Sequence, residues 1–263
     1  MRFLRISLHR SLGRSLGAVA LAVLLAATAR AADPNALWNI VHGKCVPHMT
    51  AGQGPAPCTL VDLAGGYAVL KDIRGATQYL LIPTARVAGI ESPEILAPGA
   101  PNYWQAAWDA RRFVDEKAGH QLPREDISLA INAATRRTQN QLHIHLDCVR
   151  ADVRATLAAN AAKIGTAWTS LALPPAGHPY MVRRIDSADL AGIDPFRLVA
   201  DELPGAKAAM GAQTMVMTGA PAEGAGQPGF YLLDGHVDPA DPTAGGGEEL
   251  QDHDCALLKD LPS

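Results

Sequence analysis

The chain has 263 residues and is slightly acidic, with 23 Lys and Arg against 26 Asp and Glu. Five of the basic residues and none of the acidic ones fall in residues 1–31, so the remaining residues carry a net charge of −8. A body this acidic argues against non-specific nucleic-acid binding, which needs a basic surface to displace the counterions of phosphate groups.

Residues 1–31 have the features of a bacterial export segment. Four arginines precede an apolar run at residues 16–29, and Ala29-Arg30-Ala31 offers a small-x-small cleavage site. Because the run is only slightly shorter than the ~18 residues of a membrane span, the sequence leaves two alternatives open, cleavage near Ala31 and retention as an anchor. In either case we expect the remaining roughly 230 residues, enough for a full core, to lie outside the cytoplasm. They would face the periplasm from the inner membrane or be released.

Four cysteines in an exported chain are typical of two disulfides, and three pairings are possible. We favour Cys45 with Cys58, which would close a loop rich in Pro and Gly, and Cys148 with Cys255. The second pair would tie the C-terminal tail to a histidine-bearing strand. A zinc site is the weaker interpretation, because the sequence contains no CxxC.

The first half of the chain predicts a short helix, an antiparallel meander and a longer helix. The helices are expected at residues 37–42 and 104–117, the second with Asn102 as its N-cap and Gly119 beyond its end. Turn residues separate the predicted strands, which are 59–62, 67–72, 78–82, 127–132 and 139–147. Helices and neighbouring antiparallel strands together indicate an α+β fold.

The second half is harder to interpret. A helix is expected at residues 153–167, and strands at 179–185, 213–218 and 229–234. Residues 238–249 contain Pro and three consecutive Gly, which favour a mobile surface loop.

Residues 139–147 are the most informative stretch. Side chains alternate along a strand, so an extended conformation puts Gln141, His143, His145 and Asp147 on one face and three apolar residues on the other. The two imidazoles would then lie roughly 6 to 7 Å apart. The pattern predicts a paired-histidine site backed by the hydrophobic core.

Three kinds of structure fit this pattern. A neutral imidazole is a good nucleophile toward phosphorus, so His145 would attack while His143 holds a phosphoryl oxygen or helps the leaving group depart. Alternatively, His143, His145 and Asp147 could ligate a metal ion. The third interpretation is ordinary polar structure. Arg136 and Arg137, in the preceding loop, are candidates for a clamp on an anionic leaving group.

Residues 67–148 resemble the histidine-triad superfamily of nucleotidyl hydrolases and transferases. The resemblance rests on Asp72 after a hydrophobic strand, Ile82-Pro83, Asn132 at the end of another strand, and Gln-polar-x-x-His-x-His. It implies that Asp72 and Asn132 hold the ribose, that Gln139 and Asn140 bind the attacked phosphate, and that His145 is the nucleophile. No metal or other cofactor is expected.

One departure from the histidine triad indicates a particular group within the superfamily. The third histidine falls on Asp147, so Asp147, His236 or His253 is a candidate to support the nucleophile. His253 and Asp254 adjoin Cys255, so the second disulfide would bring them near the histidine strand, and we expect one of them to support His145. An altered triad, an export segment, paired cysteines and a long C-terminal half resemble the bacterial CDP-diacylglycerol pyrophosphatases. The most similar segments are 140–153, 45–48 and 55–58.

That resemblance implies a membrane-surface enzyme that hydrolyses CDP-diacylglycerol to CMP and phosphatidate through a nucleotidyl-histidine. The expected organisation is a signal peptide or anchor at 1–31, a histidine-triad-like catalytic half at 32–160 and a C-terminal α+β half at 161–263 packed on it. The alternatives are an exported hydrolase of dinucleotide polyphosphates or nucleotide sugars, a metal-dependent protein using the two histidines and Asp147, and a non-catalytic binding module.

Overall fold

The computed structural model describes residues 33–222, 226–238, 240 and 245–260. The predicted export segment lies outside these residues. No helix of the described part is long and apolar enough to cross a membrane.

Within the described residues, ten antiparallel strands form one sheet in the order β1-β2-β3-β5-β4-β8-β9-β7-β6, with β10 pairing with β5. The strands are β1 Leu60–Asp62, β2 Tyr67–Lys71, β3 Tyr79–Pro83, β4 Ile127–Ile131, β5 Ile144–Val149, β6 Thr169–Leu173, β7 His178–Ile185, β8 Gln213–Ala220, β9 Gly229–His236 and β10 Gln251–Asp252. The predicted α+β class with an antiparallel sheet is confirmed. Strands β4 and β8 pair, so the sheet is continuous from one half of the chain to the other.

The α-helices are α1 Ala36–Ile40, α2 Val46–Thr50, α3 Tyr103–Ala110, α4 Arg112–Ala118, α5 Ala151–Ala159 and α6 Pro195–Glu202, and a π-helix at Val41–Cys45 joins α1 to α2. Short 3₁₀ helices span Pro93–Leu96, Arg124–Asp126, Ala134–Arg136, Ala161–Lys163, Ala206–Ala212, Gly247–Leu250 and Ala256–Asp260. The helix predicted at 104–117 is divided into two at Arg111. Its N-cap is as predicted, because Asn102 Oδ1 accepts a hydrogen bond from the Gln105 amide at 3.0 Å.

One face of the sheet carries a single large core. Helices α3, α4 and α6 cover it with residues such as Trp104, Trp108 and Phe196, and β5 contributes Ile144 and Leu146. The apolar side of the predicted histidine strand therefore faces this core, as expected.

The opposite face carries two separate cores. Leu37 of α1 and Leu80 of β3 belong to the first, whereas Val153 of α5 and Ala130 of β4 belong to the second. In the register of the sheet, His145 lies directly between Leu80 and Ala130, and residues directly opposite one another share a face. The histidine therefore lies where the two cores meet, with polar residues filling the gap.

Two predicted elements are wrong in their bounds. Strand β5 begins at Ile144 and not at residue 139, because Gln141 is held by hydrogen bonds from its amide to the carbonyls of Pro83 and Ala85 at 3.0 and 2.8 Å. Helix α5 ends at Ala159 and not at residue 167.

The two predicted disulfides are confirmed. Cys45 pairs with Cys58 and Cys148 with Cys255, with Cα–Cα distances of 5.7 and 5.3 Å. The second bond holds the segment containing His253 against the end of β5, where Asp147 lies.

Candidate functional site

A cavity of about 340 Å³ opens over the gap between the two cores. Its lining combines apolar residues of α1, β2 and β3 with most of the predicted site residues. The predicted residues that it brings together are Asp72, Asn132, Arg136, Arg137, Gln139, His143 and His145. The structure thus gathers residues from four separate parts of the sequence around the paired histidines.

His145 lies at the floor of this cavity and is only 5% exposed. Its Nδ1 atom is 2.9 Å from Gln78 Nε2 and 3.2 Å from Glu248 Oε1. Its Nε2 atom is buried and has no hydrogen-bond partner among the residues that the structure describes. Burial lowers the pKa of His145 well below its ordinary value, and the nearby His143, His253 and Arg74 lower it further. The imidazole is therefore neutral near pH 7 and can offer a lone pair.

His143 lies beside His145, with the ring centroids 4.8 Å apart, closer than the strand spacing predicts. Its Nδ1 atom is 2.7 Å from the carbonyl of Gln141, and since a carbonyl only accepts, Nδ1 must carry the proton. Burial lowers the pKa of His143 as well. The neutral ring therefore presents Nε2 as an acceptor, which suits a hydroxyl or a water better than an anionic phosphoryl oxygen.

Asp147 lies on β5 with His145. It was one of the candidates to support His145, but its carboxylate bonds to other residues. Its carboxylate is fully buried and accepts from the Thr77 hydroxyl at 2.6 Å and the Cys148 amide at 2.9 Å. Its second oxygen is 2.8 Å from His253 Nδ1. Hydrogen bonding to Asp147 raises the pKa of His253, so Asp147 holds a histidine that favours the cationic form.

His253 approaches His145 indirectly, through Glu248. Its Nε2 atom lies 3.7 Å from Glu248 Oε1, the oxygen that approaches His145. The predicted alternative His236 lies elsewhere, exposed at the end of β9, where its Nδ1 atom is 3.2 Å from Gln213 Nε2.

Gln78 and Glu248 are the site residues that sequence reasoning missed. Glu248 falls in the stretch expected to be a mobile surface loop, yet Gly247–Leu250 is a 3₁₀ helix packed over the site. The Oε2 atom of Glu248 accepts a hydrogen bond from Asn132 Nδ2 at 2.6 Å. The local sequence could not reveal this contact, because Glu248 is 116 residues from Asn132 and 103 residues from His145 in the chain. Pairing of β10 with β5 brings the segment into place.

The other predicted residues differ in how well they fit their expected roles. Gln139 lines the cavity, but its side chain bonds to the backbone of Leu37 and Asp33 and so fixes the start of α1. Asn140 is exposed, and its backbone amide donates to Pro34. Asp72 caps its own turn by accepting from the Arg74 amide at 2.9 Å.

Both terminal nitrogens of Arg137 bond to Glu91, which restricts its use as a clamp. Arg136 lines the cavity beside Asn132. Within the described ranges no group of three or more His, Cys, Asp or Glu side chains is arranged to hold a metal ion.

Comparison with known proteins identifies the family of the chain. Residues 32–259 match the family model described as CDP-diacylglycerol pyrophosphatase. The chain is also 44% identical, over 233 residues, to a protein of Yersinia pestis named CDP-diacylglycerol pyrophosphatase, and the match covers 89% of this chain and 88% of that protein. The resemblance to the CDP-diacylglycerol pyrophosphatases is confirmed, and the chain belongs to the CDP-diacylglycerol pyrophosphatase family.

Proposed function

We propose that the enzyme hydrolyses the pyrophosphate bond of CDP-diacylglycerol, giving CMP and phosphatidate, through a cytidylyl intermediate on His145. The observation that carries this proposal is the state of His145. Its ring is neutral, its Nδ1 atom is engaged by Gln78 and Glu248, and its Nε2 atom is left for the substrate. A family named for cleavage of this substrate supplies the substrate class.

The reaction proceeds in two displacements at one phosphorus atom. Nε2 of His145 attacks the phosphorus bonded to cytidine, the Nε2–P bond forms, and the anhydride P–O bond breaks with its electrons on the departing phosphatidate. Water then attacks the same phosphorus, the P–N bond breaks, and CMP leaves. The second step requires loss of a proton from water, and His143, whose Nε2 atom is an acceptor, is placed to take it.

Charge around the cavity suits an anionic substrate. The lining has four basic residues against two acidic ones, although the body as a whole is acidic. They are Lys71, Arg74, Arg136 and Arg137 against Asp72 and Glu248. Lys71 donates from Nζ to the carbonyls of Asp72 and Gly75, which holds the turn between β2 and β3 at the cavity edge. Asp72 and Asn132 are the proposed ribose ligands, as the superfamily resemblance implies.

The mouth of the cavity is suited to a membrane surface. Ile73 is 99% exposed at the tip of the turn, next to Arg74, and both residues line the cavity. Helix α1, on the other side of the mouth, begins only a few residues after the apolar export segment. Two disulfides are typical of proteins outside the cytoplasm. We place the enzyme at the outer surface of the inner membrane, with the acyl chains of the substrate remaining in the bilayer.

Hydrolysis in ¹⁸O-labelled water tests which phosphorus is attacked. The proposal predicts that CDP-diacylglycerol in mixed micelles gives CMP carrying ¹⁸O and unlabelled phosphatidate. Label in phosphatidate would show attack on the other phosphorus and would exclude a cytidylyl intermediate.

His145→Ala is expected to lose at least 1,000-fold in turnover, because removal of a nucleophile leaves only binding and electrostatic effects. His120→Ala, at an exposed position, is the control and should match the wild type. Parallel assays with a dinucleoside tetraphosphate, and after exhaustive chelation, test the alternatives of another nucleotide substrate and of a metal-dependent reaction.

A further inference from the structure

The environment of His145 contains two groups with opposite demands on its proton. A neutral imidazole has one N–H and one lone pair. If Nδ1 accepts a hydrogen bond from the Gln78 amide, the proton lies on Nε2, and the lone pair needed to attack phosphorus is lost. If Nδ1–H instead donates to Glu248 Oε1, at 3.2 Å, Nε2 keeps its lone pair.

Glu248 is held firmly enough to decide between these two states. Its Oε2 atom accepts from Asn132 at 2.6 Å, and its Oε1 atom accepts from Gln78 Nε2 at 3.3 Å. The second bond uses one of the two N–H groups of the Gln78 amide, so the other still faces Nδ1 of His145. Because a hydrogen bond to a charged carboxylate is stronger than one to a neutral amide, donation of Nδ1–H to Glu248 is the favoured of the two states.

The backbone that carries Glu248 is also fixed. A Cβ atom at Gly246 would lie 2.5 Å from Asn132 Oδ1, and one at Gly247 would lie 3.0 Å from Val216, so a larger residue at either position would have to displace one of these side chains. On the far side, Glu249 accepts from the Tyr180 hydroxyl at 2.7 Å and lies 2.9 Å from His178 Nδ1. The two neighbouring acids thus face opposite ways, Glu248 toward the site and Glu249 toward β7.

We propose that Glu248 is a positioning residue that selects the attacking tautomer of His145 by accepting its Nδ1 proton. The inference rests on the proposed function of His145 and extends it. As the Nε2–P bond forms, the ring becomes positively charged, and the adjacent carboxylate stabilises that charge. In serine proteases with a Ser-His-Asp triad, the Asp carboxylate likewise holds the histidine in the tautomer that can accept the proton of the nucleophilic serine. Because Asn132 holds the other oxygen, the proposed ribose ligand and the nucleophile share one carboxylate.

The test measures the tautomer directly. Long-range ¹H–¹⁵N correlation spectra of the full chain in detergent, labelled with ¹⁵N-histidine and assigned with His145→Ala, should show the proton of His145 on Nδ1. In Glu248→Gln, whose amide can donate, the proton should move to Nε2. An unchanged tautomer in Glu248→Gln would overturn the proposal.

Kinetics provide a second readout. Glu248→Gln is expected to lower the single-turnover rate of pyrophosphate-bond cleavage by at least 100-fold, while KM changes by less than about threefold. Glu116→Gln, which removes an exposed carboxylate from α4, is the control and should match the wild type. A large rise in KM with an unchanged single-turnover rate would assign Glu248 to substrate binding and overturn the proposal.

Chemical rescue guards against a variant that is merely damaged. Glu248→Ala should regain rate when formate is added, because a small carboxylate can occupy the vacated space and accept the Nδ1 proton. Acceleration by formate in Glu248→Ala but not in His145→Ala would support the proposal. If Glu248→Ala unfolds like the wild type and formate does not accelerate it, that result counts against the proposal. If the wild type forms no adduct on any histidine, the proposed function fails, whereas the tautomer result stands or falls separately.

Discussion

At the scale of single residues, the site is governed by the burial of imidazoles. A charged ring is costly in a desolvated position, so burial keeps His145 and His143 neutral. His253 differs because it meets the carboxylate of Asp147, which favours its charged form. The three histidines therefore divide into two neutral rings in the cavity and one that favours the cationic form behind it.

This division predicts the pH dependence of kcat/KM. Protonation of His145 abolishes its lone pair, and since its pKa lies below 6.5, the acid limb should fall below pH 6.5. The charge on His253 lowers the pKa of His145, so His253→Gln should raise that pKa and move the acid limb to higher pH. Rate profiles of the two enzymes on the same micellar substrate check both statements. An acid limb centred above pH 6.5 in the wild type, or a shift to lower pH in the variant, would be contrary to this account.

The candidate residues were predictable from the sequence only where local patterns carry the signal. His143 and His145 alternate with apolar residues, and Asp72 and Asn132 directly follow strands, so a sequence motif identifies them as candidates. Gln78 and Glu248 carry no such signal, because only the packing of distant segments brings them to His145. Gln139 and Asn140 match the motif, yet their contacts serve α1 and the preceding loop.

At the scale of elements, the disulfide between Cys148 and Cys255 connects stability to the site. It closes a separation of 107 residues, against 13 for Cys45 and Cys58. It also keeps His253, two positions earlier in the chain, within hydrogen-bonding distance of Asp147. The alternating apolar pattern predicted the core-facing side of β5, but not the hydrogen bonds of Gln141 that delay its start to Ile144.

Replacing each cysteine pair by serine should separate the two effects. A disulfide reduces the entropy of the unfolded chain more when it closes a longer loop. We therefore expect the free energy of unfolding to fall by about 5 kcal/mol in the Cys148/Cys255 variant and by about 3 kcal/mol in the Cys45/Cys58 variant. Only the Cys148/Cys255 double variant should also lose turnover under conditions where it remains folded. Denaturant unfolding and steady-state assays of both variants measure this. Equal loss of turnover in the two would contradict a specific link to His253.

At the scale of the whole molecule, the sheet and its cores decide where the site lies. Helices α1 and α5 cover different parts of one sheet face, and the gap that contains His145 lies between them. The sequence predicted an antiparallel α+β protein, but not the pairing of β4 with β8, because those strands are far apart in the chain. The cavity opens beside Ile73 and α1, which is the side proposed to meet the bilayer.

Replacement of Ile73 tests this orientation. Ile73→Asn should reduce hydrolysis of CDP-diacylglycerol presented in vesicles roughly tenfold or more, since burying an Ile side chain in an apolar environment contributes about 1.5–3 kcal/mol. Turnover of a short-chain, water-soluble analogue should be unchanged. Leu63→Asn is the matched control, because Leu63 is also exposed but does not line the cavity. An equal effect of Ile73→Asn on both substrates would argue against a membrane-facing mouth.

During turnover, Nε2 of His145 should become bonded to phosphorus. Mass spectrometry of enzyme quenched at alkaline pH within a single turnover tests it, because a phosphoramidate survives base. A cytidylyl group is expected on the wild-type peptide that contains His145. The corresponding peptide of His145→Ala should carry no such group. Full turnover with no adduct at any quench time, or an adduct on a different residue, would contradict it.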